Sequence, residues 1–130
     1  MSRKDASTYE TTTGVIYKKT CITMPQDVYS QIQNISTAYG WTITITLNML
    51  IGYALKHMDK FEEEITDLVL KAPRTPSTGR LPKRTLLLVE EYREELKEYA
   101  KKHNQKNTTA YTRACIFGLA HLEDVIKEIK

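Results

Sequence analysis

The stretch Gly40-Trp41-Thr42-Ile43-Thr44-Ile45-Thr46-Leu47-Asn48-Met49-Leu50 (GWTITITLNML) has two possible readings, and the choice decides the fold. Residues 42–46 alternate β-branched polar and apolar side chains with period two, as a half-buried strand does. The residues beyond them keep helical spacing: Ile43, Leu47, Leu50, Ile51, Ala54 and Met58 recur on one face. The helical period lasts several turns and the alternation only one. A strand would also leave residues 47–58 without a consistent role. The segment is therefore expected to start a helix, with Thr42 as N-cap just after a stop at Gly40. Its β-branched residues lower the intrinsic propensity, which burial of the long apolar face must offset. Ile45 points off that face.

Laid over itself with Ile22 on Leu86, the sequence matches itself in residue character without a gap. Met24 falls on Leu88, Val28 on Tyr92, Ile32 on Leu96 and Ile35 on Tyr99. Gly40 falls on Asn104, the other residue that readily enters the left-handed region. Leu47 then falls on Tyr111, Leu50 on Ala114, Tyr53 on Phe117, Ala54 on Gly118 and His57 on His121. Each copy opens with a short alternating stretch, KTCITM at 19–24 and KRTLLL at 83–88. A helix follows, started at Pro25 in the first copy and ended at Gly40 or Asn104. A second helix completes each copy. That of the first copy is expected to continue towards Phe61, Ile65 and Leu68, and that of the second to run from Asn107 or Thr108 towards Ile129. The chain thus divides into an N-terminal arm, 1–17, expected to be flexible; a first unit, 18–71; a linker, 72–82, with three prolines and a glycine; and a second unit, 83–130.

One short strand and two helices cannot close a core alone, because the strand lacks a partner and too little apolar surface is buried. The remedy is pairing. The expected fold class is mainly α, with a short two-stranded antiparallel ribbon, built from two strand-helix-helix repeats that pair within one chain as an intramolecular pseudo-dimer.

With 41% hydrophobic and 27% charged residues, the composition is that of a globular protein. The net charge is only +3, but it is unevenly spread. Lys71, Arg74, Arg80, Lys83 and Arg84 form an acid-free basic run; Asp59–Asp67 and Glu90–Glu98 are acidic, and read as solvated helix surface. Cys21 and Cys115 have no metal spacing and read as free thiols in a reducing, cytoplasmic compartment. No apolar run is long enough to span a bilayer, so no membrane is expected as a partner. His57, His103 and His121 have no metal-ligand spacing with the cysteines, and no glycine-rich phosphate loop is present. No catalytic residue, metal or cofactor is therefore expected, and the chain is not read as an enzyme.

The element order, the Met24-Pro25 junction after the strand, the Pro25-to-Gly40 spacing and the threonine-rich start of the second helix resemble the ribbon-helix-helix DNA-binding proteins. The match is best over 18–58 and looser over 83–122. A tandem pair in one chain resembles the TraY-type relaxosome accessory proteins of conjugative plasmids, which bind near an origin of transfer. The resemblance implies double-stranded DNA as partner, read by a ribbon lying in the major groove. Alternation then decides which side chains face outward. Ile22 and Met24 face the core, leaving Lys19, Cys21 and Thr23 to touch bases, with Lys83, Thr85 and Leu87 from the second strand. Leu87 departs from the usual polar pattern. Either it packs on thymine methyl groups, or the register shifts by one and Arg84 reads instead.

The starts of the second helices, Thr42, Ile43 and Thr44 in one copy and Lys106, Asn107 and Thr108 in the other, are expected to contact phosphates through free amides, hydroxyls and charge. Arg3, Lys4, Lys18, Arg74 and Arg80 would add salt-sensitive attraction, and Val15, Ile16 and Tyr17 would lengthen the first strand. The resemblance further implies contact with a relaxase or other transfer proteins, and with further copies of the chain along DNA. Two other roles fit the same sequence. One is a transcriptional repressor of a plasmid, phage or toxin-antitoxin operon, an autorepressor included. The other is a helical protein-interaction module whose acidic helices form the contact surface.

Overall fold

The computed structural model describes residues 8–10, 14–71 and 83–129. The linker 72–82 and the remainder of the N-terminal arm, with Arg3, Lys4, Arg74 and Arg80, lie outside the described residues. In chain order the elements are β1 (Thr8–Glu10), β2 (Ile16–Thr23), α1 (Gln26–Tyr39), α2 (Ile43–Lys56), α3 (Met58–Lys71), β3 (Lys83–Val89), α4 (Glu90–Lys102), α5 (Asn107–Ala120) and α6 (Leu122–Ile129). The chain is mainly helical, and one strand followed by three helices occurs twice in succession, as β2-α1-α2-α3 and as β3-α4-α5-α6.

The GWTITITLNML stretch is helical. Thr42 is extended, and its hydroxyl accepts the Ile45 amide at 3.1 Å, capping α2. Thr46, which in a strand would share a face with Thr42 and Thr44, instead points into the core, where its hydroxyl bonds Ser36 Oγ at 2.8 Å. Both stops between helices use the left-handed region: Gly40 has φ 69° and Asn104 φ 55°. In each case the next residue's amide reaches back along the helix, Trp41 to the Ser36 carbonyl and Gln105 to the Ala100 carbonyl, satisfying carbonyls that the helix end leaves open. Pro25 sits one position before the first helical residue, as the N-cap.

The expected antiparallel ribbon is the β2–β3 pair, with Thr20 opposite Leu86 at its centre and Thr23 opposite Lys83 at one end. A third strand extends it. Within the arm, β1 pairs antiparallel with the outer edge of β2 through Thr8–Lys18, Tyr9–Tyr17 and Glu10–Ile16. The sheet order is therefore β1-β2-β3. β1 covers β2 only as far as Lys18, so the stretch from Lys19 to Thr23 has β3 as its strand partner.

Beneath the sheet, Ile22, Met24 and Leu88 are fully buried against Ile32, Leu47, Leu50 and Leu96. The helices centre on the α2–α5 crossing. There Gly118 comes so close to Leu50 that a Cβ on it would stand 2.8 Å from the Leu50 Cα and carbonyl oxygen. The long second helices expected from periodicity are each broken once, at His57 and at His121, where the backbone leaves helical angles. Hydrogen bonding continues on both sides of each break, Phe61 N–H to the His57 carbonyl and Val125 N–H to the His121 carbonyl. The bend lets Phe61 dock edge-on against Phe117 and Tyr99, with ring centroids 5.5 and 5.2 Å apart. The two histidines then reach across the bundle: His57 Nε2 lies 2.8 Å from Glu128 Oε1, and His121 Nε2 lies 2.8 Å from Glu64 Oε1.

Gly118→Ala is expected to destabilise the fold. Overpacking costs about 1–3 kcal/mol, against about 1 kcal/mol returned by helix propensity, and the obstructing atoms are backbone. Gly52→Ala meets the Tyr92 ring, with Oη at 2.8 Å, Cζ at 3.0 Å and Cε2 at 3.1 Å, a half-buried side chain that can shift where backbone cannot, so it is expected to cost less than Gly118→Ala. Urea denaturation of the two variants separates these outcomes.

Candidate nucleic-acid interface

Alternation in β2 follows the expected phase. Thr20, Ile22 and Met24 are buried, whereas Lys19 and Cys21 are exposed and Thr23 is half-exposed. In β3, Leu88 is buried and Leu86 packs on the core; Thr85 is exposed and Leu87 half-exposed. The register brings the six outward positions into three directly opposed pairs, Lys19 with Leu87, Cys21 with Thr85, and Thr23 with Lys83. For Lys83 the side chain lies outside the described residues. Successive positions along each strand face opposite sides, so Lys19, Cys21, Thr23, Thr85 and Leu87 share the face turned away from the helices.

Arg84 lies on the other phase of the strand. Its guanidinium carbon sits 3.6 Å from the Tyr29 ring centroid, and its Nη2 donates to Gln26 Oε1 at 2.6 Å. It is therefore committed to α1, and the one-residue slip that would turn it outward in place of Leu87 is absent from the ribbon. Lys18 is opposite Leu88 and half-buried rather than on the outward face.

The second helices are tied to the two ends of the ribbon by side-chain hydrogen bonds. At one end, Asn48 in α2 donates from Nδ2 to the Leu87 carbonyl at 3.0 Å and accepts the Val89 amide at 2.8 Å. At the other, the Thr108 hydroxyl in α5 accepts the Thr23 amide at 2.6 Å and donates to the Thr23 carbonyl at 3.1 Å, with Thr112 3.5 Å from the same carbonyl. Thr112 occupies in the second copy the position that Asn48 holds in the first, and Pro25 is the first-copy counterpart of Val89. Proline has no N–H to satisfy, so a hydroxyl suffices where Val89 requires an amide side chain.

Each helix start is thereby held beside the ribbon, α5 at the Thr23–Lys83 end and α2 near the Tyr17–Val89 end. Thr42, Lys106 and Asn107 are exposed; Ile43 and Thr44 are half-exposed. The Thr108 hydroxyl is used by Thr23, so its amide is what it can offer an anion. A helix N-terminus directs amides and partial positive charge outward. The arrangement can place one protruding pair of strands between two anion-attracting helix ends. Sequence reasoning missed Asn48 and Thr108 as clamps. The available signal was a polar residue within the first turns of each otherwise apolar helix.

No family model, curated protein or solved structure matches this chain. Among the described residues no helix is long and apolar enough to cross a membrane, and no three His, Cys, Asp or Glu side chains converge as a metal-binding group.

Asn48→Ala strips partners from a carbonyl and an amide at the ribbon's end, and should cost about 1–3 kcal/mol in a denaturant titration. Thiol chemistry separates the two cysteines. Cys21 is exposed on the ribbon, whereas burial pushes the Cys115 thiol up to about 12. In the folded protein a disulfide reagent should label Cys21 and spare Cys115 until urea is added. Below about pH 8 Cys115 is largely protonated in both folded and unfolded chains. Above that, the unfolded chain releases the proton first, so stability should fall as pH rises, by up to about 1.4 kcal/mol per pH unit. Burial raises Tyr53, Tyr92, Tyr99 and Tyr111 as well, with the same sign. Urea midpoints at about pH 8 and about pH 10.5 check the slope, which Cys115→Ala should flatten.

Proposed function

We propose that this chain is a sequence-specific double-stranded DNA-binding protein that inserts the β2–β3 ribbon into the major groove. In this reading β2-α1-α2 and β3-α4-α5 are two ribbon-helix-helix repeats paired within one chain. The observation that carries it is the register, which sets Lys19, Cys21, Thr23, Lys83, Thr85 and Leu87 as three facing pairs on the side away from the core. A two-stranded ribbon fits a major groove about 12 Å wide. Among the described residues β1 pairs with β2 only at Ile16, Tyr17 and Lys18, and those six residues lie beyond that stretch.

Roles follow from side-chain chemistry. A lysine donates to guanine O6 and N7, threonine offers a hydroxyl and a methyl, and Leu87 suits a thymine methyl. The starts of α2 and α5, at opposite ends of the ribbon, grip phosphates on either side; these contacts set position, not sequence. Because the paired strands carry different residues, the site read by one chain has unlike halves. The resemblance to TraY-type proteins favours a setting for this activity in a relaxosome at a plasmid origin of transfer, beside a relaxase, with neighbouring chains adding along repeated sites.

The test is a gel-shift and footprinting titration on fragments from the protein's own upstream region and nearby origin of transfer. Lys19→Ala and Thr23→Ala should each reduce discrimination against a mismatched site by about 1–3 kcal/mol. Lys106→Ala should weaken binding to all sequences alike and flatten the salt dependence. Full sequence preference in both ribbon variants would sink the ribbon assignment.

A further inference from the structure

The two halves of the chain supply an internal control for what the fold itself requires. Beside the Tyr17–Val89 end of the sheet, α2 and α4 enclose a groove of about 850 Å³. Its apolar lining includes Val15, Ile16, Ile45, Met49, Val89 and Tyr92. Val15 is 37% exposed and Ile45 44%, which makes them two of the three large hydrophobic side chains most open to solvent among the described residues. Along one wall run Glu91, Glu94 and Glu95, whose spacing places them on neighbouring positions of α4. A second groove of about 410 Å³ shares Met49, Tyr92 and Glu95 with the first and continues it towards Leu55 and Glu128.

The same positions in the other half have a different character. In the alignment of the two copies, Ile45 becomes Thr109 and Met49 becomes Arg113, while Tyr92, Glu94 and Glu95 become Val28, Ser30 and Gln31. Both halves build the same strand and helices, so the fold demands neither Ile45 and Met49 nor Glu94 and Glu95; of the glutamate row only Glu91 has an acidic counterpart, Asp27. Water-facing apolar side chains gathered in one groove, walled by like charges, indicate a surface that is covered in use.

We infer that this groove is a docking site for an amphipathic helix of a partner protein, with an apolar stripe flanked by lysine or arginine. The shape fits helix-in-groove recognition: two helices form the walls, and Ile45, Met49 and Tyr92 receive the apolar anchors. The charge fits as well. Glu94 is 3.6 Å from Arg93 and 3.9 Å from Lys97, but among the described residues Glu91 and Glu95 have no ion-pair partner, so a cationic flank gains attraction there. None of the groove's lining residues is one of the six outward ribbon positions, although Ile45 follows directly on the α2 start proposed to hold a phosphate.

The probe is a synthetic leucine–lysine amphipathic helix, compared with its leucine–glutamate counterpart, titrated against the isotope-labelled full chain by NMR. The leucine–lysine peptide should bind at least about tenfold tighter, with shifts centred on Ile45, Met49, Tyr92 and Glu95. Ile45→Thr with Met49→Arg installs the residues the other half already carries at these positions. It should keep the circular dichroism spectrum and weaken binding about tenfold or more, since two apolar anchors are lost from the groove. Glu91→Lys with Glu95→Lys, both on the surface, should reverse the preference between the peptides. Equal binding of both peptides, no binding of either, or binding that survives both double substitutions overturns the inference. So does concentration-dependent self-association that Ile45→Thr with Met49→Arg abolishes, which would make a second copy the occupant. DNA gel shifts on the same variants keep the two readings apart: lost peptide binding with intact DNA binding, or the reverse, is informative about one alone.

Discussion

Backbone hydrogen bonding constrains this molecule first. β2 and β3 each expose a row of amides and carbonyls, and among the described residues only β1, three residues long, is otherwise available to pair with them. They must therefore pair with each other despite the long stretch of chain between them, and everything else is arranged to hold that pairing. Asn48 and Thr108 lock the two ends, each from a helix that belongs to the opposite strand's segment. Leu88 and Ile22 press the inner face onto Leu50, Leu47 and Leu96. The α2–α5 crossing closes beneath, at a distance that the missing side chain of Gly118 permits. At the far side, His57 to Glu128 and His121 to Glu64 repeat the exchange. The paired strands, the α2–α5 crossing and the histidine pairs at the helix breaks all join one half to the other.

The inner residues of the ribbon are set by the core, whereas Cys21 and Thr85 are exposed on its outer face. Arg84 shows the contrast: a cation on the inner phase is consumed by Tyr29 and Gln26. The same logic separates the two thiols. Cys115 behaves as a small core residue, held protonated by burial, and Cys21 as an accessible surface group.

Much of this is readable from residue order, because the signals are local and strong. A period sustained over several turns outweighs five alternating residues, so GWTITITLNML reads as a helix. Gly40 and Asn104 match because both sites need positive φ. Alternation in KTCITM and KRTLLL separates inner from outer residues. What escapes depends on tertiary partners. Three residues, Thr8–Glu10, carry no strand signal of their own and become β1 only because the edge of β2 is there to receive them. The breaks at His57 and His121 contain neither proline nor glycine; the first lets Phe61 turn inward and the second Val125. The hydroxyl of Thr108, expected to face a phosphate, finds the Thr23 backbone closer. Ile45, which fits no face of its helix, is a legible residue whose meaning lies in a groove made by α4.

Joining both strands of the ribbon by one covalent chain also removes concentration from the folding equilibrium. An assembly of separate subunits comes apart on dilution, since its stability is inseparable from protomer concentration. Here β2 pairs with β3 of the same chain, so that pairing does not depend on how many molecules are present. The two edges of the ribbon are also inherited together as a fixed pair.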